Sequence, residues 1–299
     1  MRRIIALFVG LLMLGGMMRM VSAHSVTVDG DPADWLADTG TQAINTWQLY
    51  SSVGEWVWKD NESDERTDWS TPDPRVDITE FRVTADEQYI YFLIKFNNLD
   101  VVGQDGAPGI MITIDTDQSI GSGGTYFGYL SETQVAQNGN ANWEYQLLID
   151  LSSSSVQNNQ PVYGDGTPVW DSGSPLDLVD TSWDDVSTSS DEFVASTTYN
   201  AVEVKILKSE LGNPSTIRVE LAVVRVNPSG DAWDIIGVSD VLDAMTDVSG
   251  NTWNEVKDGY VDYYADINIS QVPFFSNNVA MAALTFLLVL GAVWFFRRQ

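Results

Sequence analysis

Hydrophobic positions in this chain cluster into short runs separated by polar turns, and the runs have a period of two rather than 3.6. Val76 to Thr84 carries Val76, Ile78, Phe81 and Val83, with the phase slipping by one residue around Glu80. That slip predicts a strand with a bulge or an edge. Tyr89 to Phe96 is dense in β-formers and predicts a central strand covered on both faces, paired to the first through the Asp86-Glu87-Gln88 turn. Further strands are predicted over 109–115, 143–150, 201–207, 216–226 and 262–269. Val26 and Val28 start a strand that runs into an acidic turn, after which Trp35 drops into the core. Lys208 to Gly212 reads as a single helical turn ended by Gly212.

Short strands, polar turns and no long amphipathic helix predict an all-β fold, an antiparallel β-sandwich of immunoglobulin-like or jelly-roll-like connectivity. The stretch 152–192 is rich in Ser, Asp, Gly, Pro and Asn. It reads as long loops inserted into one sandwich domain over 24–272, because strands on both sides are needed to complete the sheets.

The two ends differ from this middle. Arg2 and Arg3 precede an apolar stretch, and Val21-Ser22-Ala23 ends in small residues, the pattern of an export signal over 1–23 cleaved before His24. Val279 to Phe296 is uncharged and is followed by Arg297 and Arg298. Its length of about 27 Å suits one membrane-spanning helix with the tail inside, so 273–299 is expected to be a transmembrane anchor or a C-terminal sorting signal. The expected location is the cell membrane, single-pass with the bulk of the chain outside, or the cell surface after C-terminal processing. Asn61-Glu62-Ser63 and Asn268-Ile269-Ser270 match the N-glycosylation acceptor pattern.

Composition then excludes whole classes of chemistry. The 299 residues include no cysteine and one histidine, His24. Thiolate catalysis, zinc–thiolate sites, histidine triads and bis-histidine metal centres are therefore closed. The formal charge is −27 from 42 acidic and 15 basic residues, which excludes nucleic acid as a partner. Between the two ends the balance is 42 to 10, a net of −32. Such self-repulsion calls for bound cations, an acidic solvated surface as in a salty environment, or both. With so many acids, carboxylate pairs arise by chance and give no support to a glycosidase reading.

Candidate chemistry falls in two sets. Asp60, Asp64, Glu65 and Asp77 crowd a loop ahead of the first dense strand, and Asp115 and Asp117 close a later one. Clustered carboxylates in loops suit Ca²⁺, so calcium is the expected cofactor. The Asp115 loop starts like an EF-hand but has Ile120 at the turn position and Tyr126 in place of the bidentate Glu. Eleven tryptophans suggest aromatic stacking on sugar rings. Trp170 and Trp183, in the long loops, are the first candidates, followed by Trp69 and Trp58.

These segments carry a family resemblance. Asp29-Gly30-Asp31-Pro32-Ala33-Asp34-Trp35 resembles the opening of family-9-type carbohydrate-binding modules and DOMON-like sandwiches. Asp60, Asp64-Glu65, Asp77, the Phe81 to Phe96 hairpin and Ile114-Asp115-Thr116-Asp117 resemble the C-terminal accessory modules of glucodextranases and amylopullulanases. Ala232-Trp233-Asp234, Ser239-Asp240-Val241-Leu242-Asp243-Ala244, Gly250-Asn251-Thr252-Trp253 and Asp262-Tyr263-Tyr264 look similar too. The resemblance spans residues 26–266 without 152–192. It implies a non-catalytic module that holds extracellular polysaccharide of the α-glucan kind, with surface-associated glycoside hydrolases as partners. The alternative is a structural or adhesive envelope protein with an acidic calcium-binding surface and no sugar site. A DOMON-type haem site would need axial ligands that a single terminal His and two ectodomain Met residues, Met111 and Met245, supply poorly.

Overall fold

The computed structural model describes residues 24–65, 73–103, 106–127, 134–136, 139–151, 162–163, 193–225, 238–242, 260–261 and 263–269. Twelve strands form two antiparallel sheets, and no α-helix occurs among the described residues. The first sheet runs β1 (Thr46–Tyr50), β2 (Glu55–Lys59), β3 (Ile78–Ala85), β4 (Tyr89–Phe96), β9 (Ala201–Leu207), β8 (Phe193–Ser196). The second runs β11 (Val238–Val241), β10 (Thr216–Arg225), β5 (Pro108–Asp115), β6 (Tyr145–Asp150), β7 (Val162–Tyr163), with β12 (Ala265–Asn268) also paired to β10.

The inward faces of both sheets meet in one hydrophobic cluster. Trp58, Phe81, Val83, Phe92 and Ile94 face Ile110, Ile112, Leu147, Ile149, Leu221 and Val223 within it. The expected β3–β4 hairpin forms, and its register shifts between Ile78 and Glu80, where the alternation slipped in sequence. Lys208 to Gly212 makes consecutive tight turns rather than an α-helical one, with Gly212 at φ +75°. The long loops expected over 152–192 lie outside the described residues, apart from β7.

Val26 and Val28 do not pair as a strand; they pack on the outer face of the first sheet. That face is lined by alternate residues of each strand, including Glu55, Arg82, Leu93 and Glu203. Two charged glutamates on a sheet face would normally seek water. Here the 24–37 segment covers them and supplies their hydrogen bonds. Glu203 accepts from Asp29 N at 3.0 Å, Gly30 N at 2.8 Å and Trp35 Nε1 at 2.8 Å. Glu55 accepts from Leu36 N and Ala37 N and pairs with Arg82 at 3.0 Å. Gly30, at φ +79°, passes close to β8, where a Cβ would lie 3.0 Å from Ser196 Cβ.

Two ties join the sheets at opposite ends of β3. Beyond its C-terminus, Lys208 donates to Asp86 O and Ile269 O, linking the β3–β4 turn to the segment after β12. At its N-terminus, Asp240 on β11 accepts from Ile78 N at 2.6 Å.

Burial pushes the Glu203 carboxyl up to about 7, and Asp29 adds to the push, against the pull of three N–H donors. The unfolded value is about 4.3. The folded state therefore holds the proton more tightly; this stabilisation is full below the unfolded value and is lost as pH rises through about 7. In chelator, the stability of wild type relative to Glu203→Gln is expected to fall between about pH 5 and about pH 8. Thermal melts of the two proteins across that range check it; a pH-independent difference would contradict it.

Candidate functional site

The acidic loop after β2 folds back onto the N-terminus of β3. Asp60 N donates to Thr79 O at 3.0 Å, and the Asp60 side chain accepts from Asn61 N. Ser63 sits at φ +67°, a region costly for a residue with a Cβ. That conformation turns its N–H to Asp77 Oδ2 at 2.8 Å. Asn97, just past β4, donates its side-chain amide to the same oxygen at 2.7 Å.

These turns bring three buried carboxylates together. One oxygen each from Asp64, Asp77 and Asp240 lies within 4.8 Å of the others. Asp77 is 0% exposed, and its Oδ1 accepts no hydrogen bond from the described residues. Asp240 is held by the backbone N–H groups of Ile78 and Val241. Burial pushes the Asp240 carboxyl well above the usual carboxylate range, and the charges of Asp60, Asp64 and Asp77 add to it. Burial likewise raises Asp77 to about 6 despite its bonds from Asn97 and Ser63, with Glu65 and Glu62 contributing. Glu65 is raised by its own burial. The donor set is all oxygen and all acidic, which suits a hard divalent cation such as Ca²⁺.

No family model, curated protein or solved structure matches this chain. The site must therefore be read from its own residues. The structure brings Asp64 and Asp77 into one cluster and places Asp60 and Glu65 beside it, as their charge effects on Asp240 and Asp77 show. Asp240 is the member that the loop reading omitted. It lies 163 positions beyond Asp77, and only the pairing of β11 with β10 brings it to β3. Its one sequence signal was the Ser239 to Ala244 stretch noted in the resemblance.

Asp115 and Asp117 gather elsewhere, at the C-terminal end of β5, with Glu144. Asp115 Oδ1 accepts from Asp117 N and Gln118 N, and Asp117 Oδ1 accepts from Ser119 N. Glu144 Oε2 accepts from Thr116. These carboxylates cap turns, and the Arg218 charge opposes the rise that burial gives Asp115, whose carboxyl sits at about 6.

Trp58 is corrected from sugar platform to core residue. It is 0% exposed and packs on Trp47 and Tyr263, with ring centroids 5.7 Å and 4.5 Å away. Lys59 beside it is polar because alternate β2 positions face the other side of the sheet, and Asp60 lies past the end of the strand. Trp69, Trp170 and Trp183 lie outside the described residues.

A groove opens next to Asp60 on the outer side of the first sheet. Its volume is about 630 Å³, and Lys59, Asn61, Glu62, Thr79, Glu80 and Lys95 are among its lining residues.

Two outcomes are expected. Asp77→Asn removes one of the clustered charges and keeps the shape, so in chelator it should stabilise the protein by about 1–2 kcal/mol; urea unfolding in chelator measures it. Trp58→Ala should cost about 3–5 kcal/mol in the same assay, as for any large core aromatic.

Proposed function

We propose that this chain is a non-catalytic, calcium-stabilised β-sandwich of the cell surface that holds extracellular polysaccharide. The observation that carries the cation is the buried Asp64–Asp77–Asp240 cluster, with an oxygen of Asp77 that has no donor among the described residues. Three like charges in a buried position favour unfolding unless a cation or protons offset them. A divalent ion there would join the loop after β2, the start of β3 and β11. It would thereby lock one end of the two sheets.

The surface placement rests on the export pattern at 1–23 and the apolar run in 273–299, both outside the described residues. No helix among the described residues is long and apolar enough to cross a membrane. The polysaccharide reading rests on the family resemblance and on the polar groove beside Asp60. A second reading, a structural envelope subunit without a sugar site, is favoured by one finding: Trp58 serves the core and not a surface.

The test uses the purified full chain, stripped with chelator. Calcium is titrated while the thermal midpoint is followed. A native-state site at a hundredfold excess over its dissociation constant should add about 2.7 kcal/mol. The shift is expected in wild type and absent in Asp77→Asn; an equal shift in both proteins would overturn the assignment. Co-sedimentation with insoluble glucan then separates the polysaccharide reading from the structural one.

A further inference from the structure

The groove beside Asp60 has a charge arrangement that the overall acidity of the chain does not predict. Lys59, Glu80 and Lys95 are cross-strand partners on β2, β3 and β4 and form one row on the outer face of the sheet. The chain has only five lysines, and two of them stand in this row. In a protein with 42 acidic residues, a half-buried lysine would be expected to carry an ion-pair partner. Glu80, the carboxylate between them, is already engaged. Arg82 Nε holds its Oε1 at 2.8 Å, and Thr39 Oγ1 donates to its Oε2 at 3.1 Å. Lys59 makes one long contact to Thr39 O at 3.4 Å. Neither Lys59 nor Lys95 has an ion pair among the described residues.

The rest of the lining is hydroxyl, amide and carboxylate, with Ile44 as the apolar member. This is a wall of donors and acceptors, suited to a hydroxyl-rich ligand. The two ammonium groups add a preference for negative charge. Glu62 and Asp60 oppose that preference. Asp60, however, sits at the edge of the Asp64–Asp77–Asp240 cluster, and a divalent cation bound there would offset its charge.

We propose that this groove binds a carboxylate-bearing saccharide segment through Lys59 and Lys95, and that a cation in the neighbouring cluster strengthens the binding. The first clause rests on the polysaccharide reading of this groove and narrows it; the second rests on the cation reading given above. The coupling is reciprocal, so the saccharide also tightens the cation.

The experiment is calorimetric titration of the full chain at fixed free calcium, with trigalacturonate, maltotriose and inorganic phosphate as probes. Trigalacturonate should bind at least about tenfold more tightly than maltotriose, and Lys59→Gln/Lys95→Gln should abolish that preference. Lower free calcium should weaken trigalacturonate binding in wild type. Three results would overturn the proposal: no trigalacturonate binding, binding unchanged in the double variant, or phosphate binding as tightly as the saccharide. Affinity independent of calcium would overturn the coupling. Circular dichroism of the double variant, expected to match wild type, shows that any loss is local. A missing calcium shift in thermal stability would count against the cation reading and leave the lysine result standing.

Discussion

The fold depends on buried carboxylates that act as acceptors for backbone N–H groups with no strand partner. A sheet satisfies its own ladder, but the segments that cross its faces and ends do not. Glu203 and Glu55 anchor the N-terminal strap, and Asp77 and Asp240 anchor the end of β3. Each such acid is costly to bury alone, and its donors offset part of that cost. Where donors are sufficient, as at Glu203, the result is a structural joint. Where an oxygen has no donor among the described residues, as at Asp77, the arrangement suits a cation.

This division changes the meaning of the acidity. A net charge of −27 suggests a solvated surface. Yet Glu55, Asp77, Glu203 and Glu220 are 0% exposed, so part of that charge is built into the interior. The same economy of cations makes the groove distinctive. Arg82 is spent on Glu80 and Glu55, Lys208 on carbonyls between the sheets, and Arg218 on Asp266. Lys59 and Lys95 are left to face the groove.

Much of the two-sheet pattern was legible in the sequence. The run from Tyr89 to Phe96 forms β4 over those same residues, and the phase slip at Glu80 marks a real register shift. Period-two alternation survives translation into structure because it reports sidedness. It does not report which side is covered. That is why Trp58, followed by Lys59 and Asp60, looked accessible and is core, and why Val26 and Val28 looked like a strand and form a strap. β2 escaped for the same reason: Glu55 and Lys59 broke the apolar signal, although Glu55 is fully buried. For the site, proximity in sequence found Asp64 and Asp77, with Asp60 and Glu65 beside them. Asp240 was beyond reach without strand order.

The strap also has a temporal aspect. Glu203 closes onto Gly30 across 173 positions, and β4 finds its neighbour β9 only after β5, β6 and β7 of the second sheet have been made. Contacts of such separation slow folding, because long loops must close before anything is gained. A chain crossing a membrane N-terminus first would have its strap outside long before β9 followed. Closure of the outer face would then wait until Glu203 had followed, and the chain would stay threadable until then.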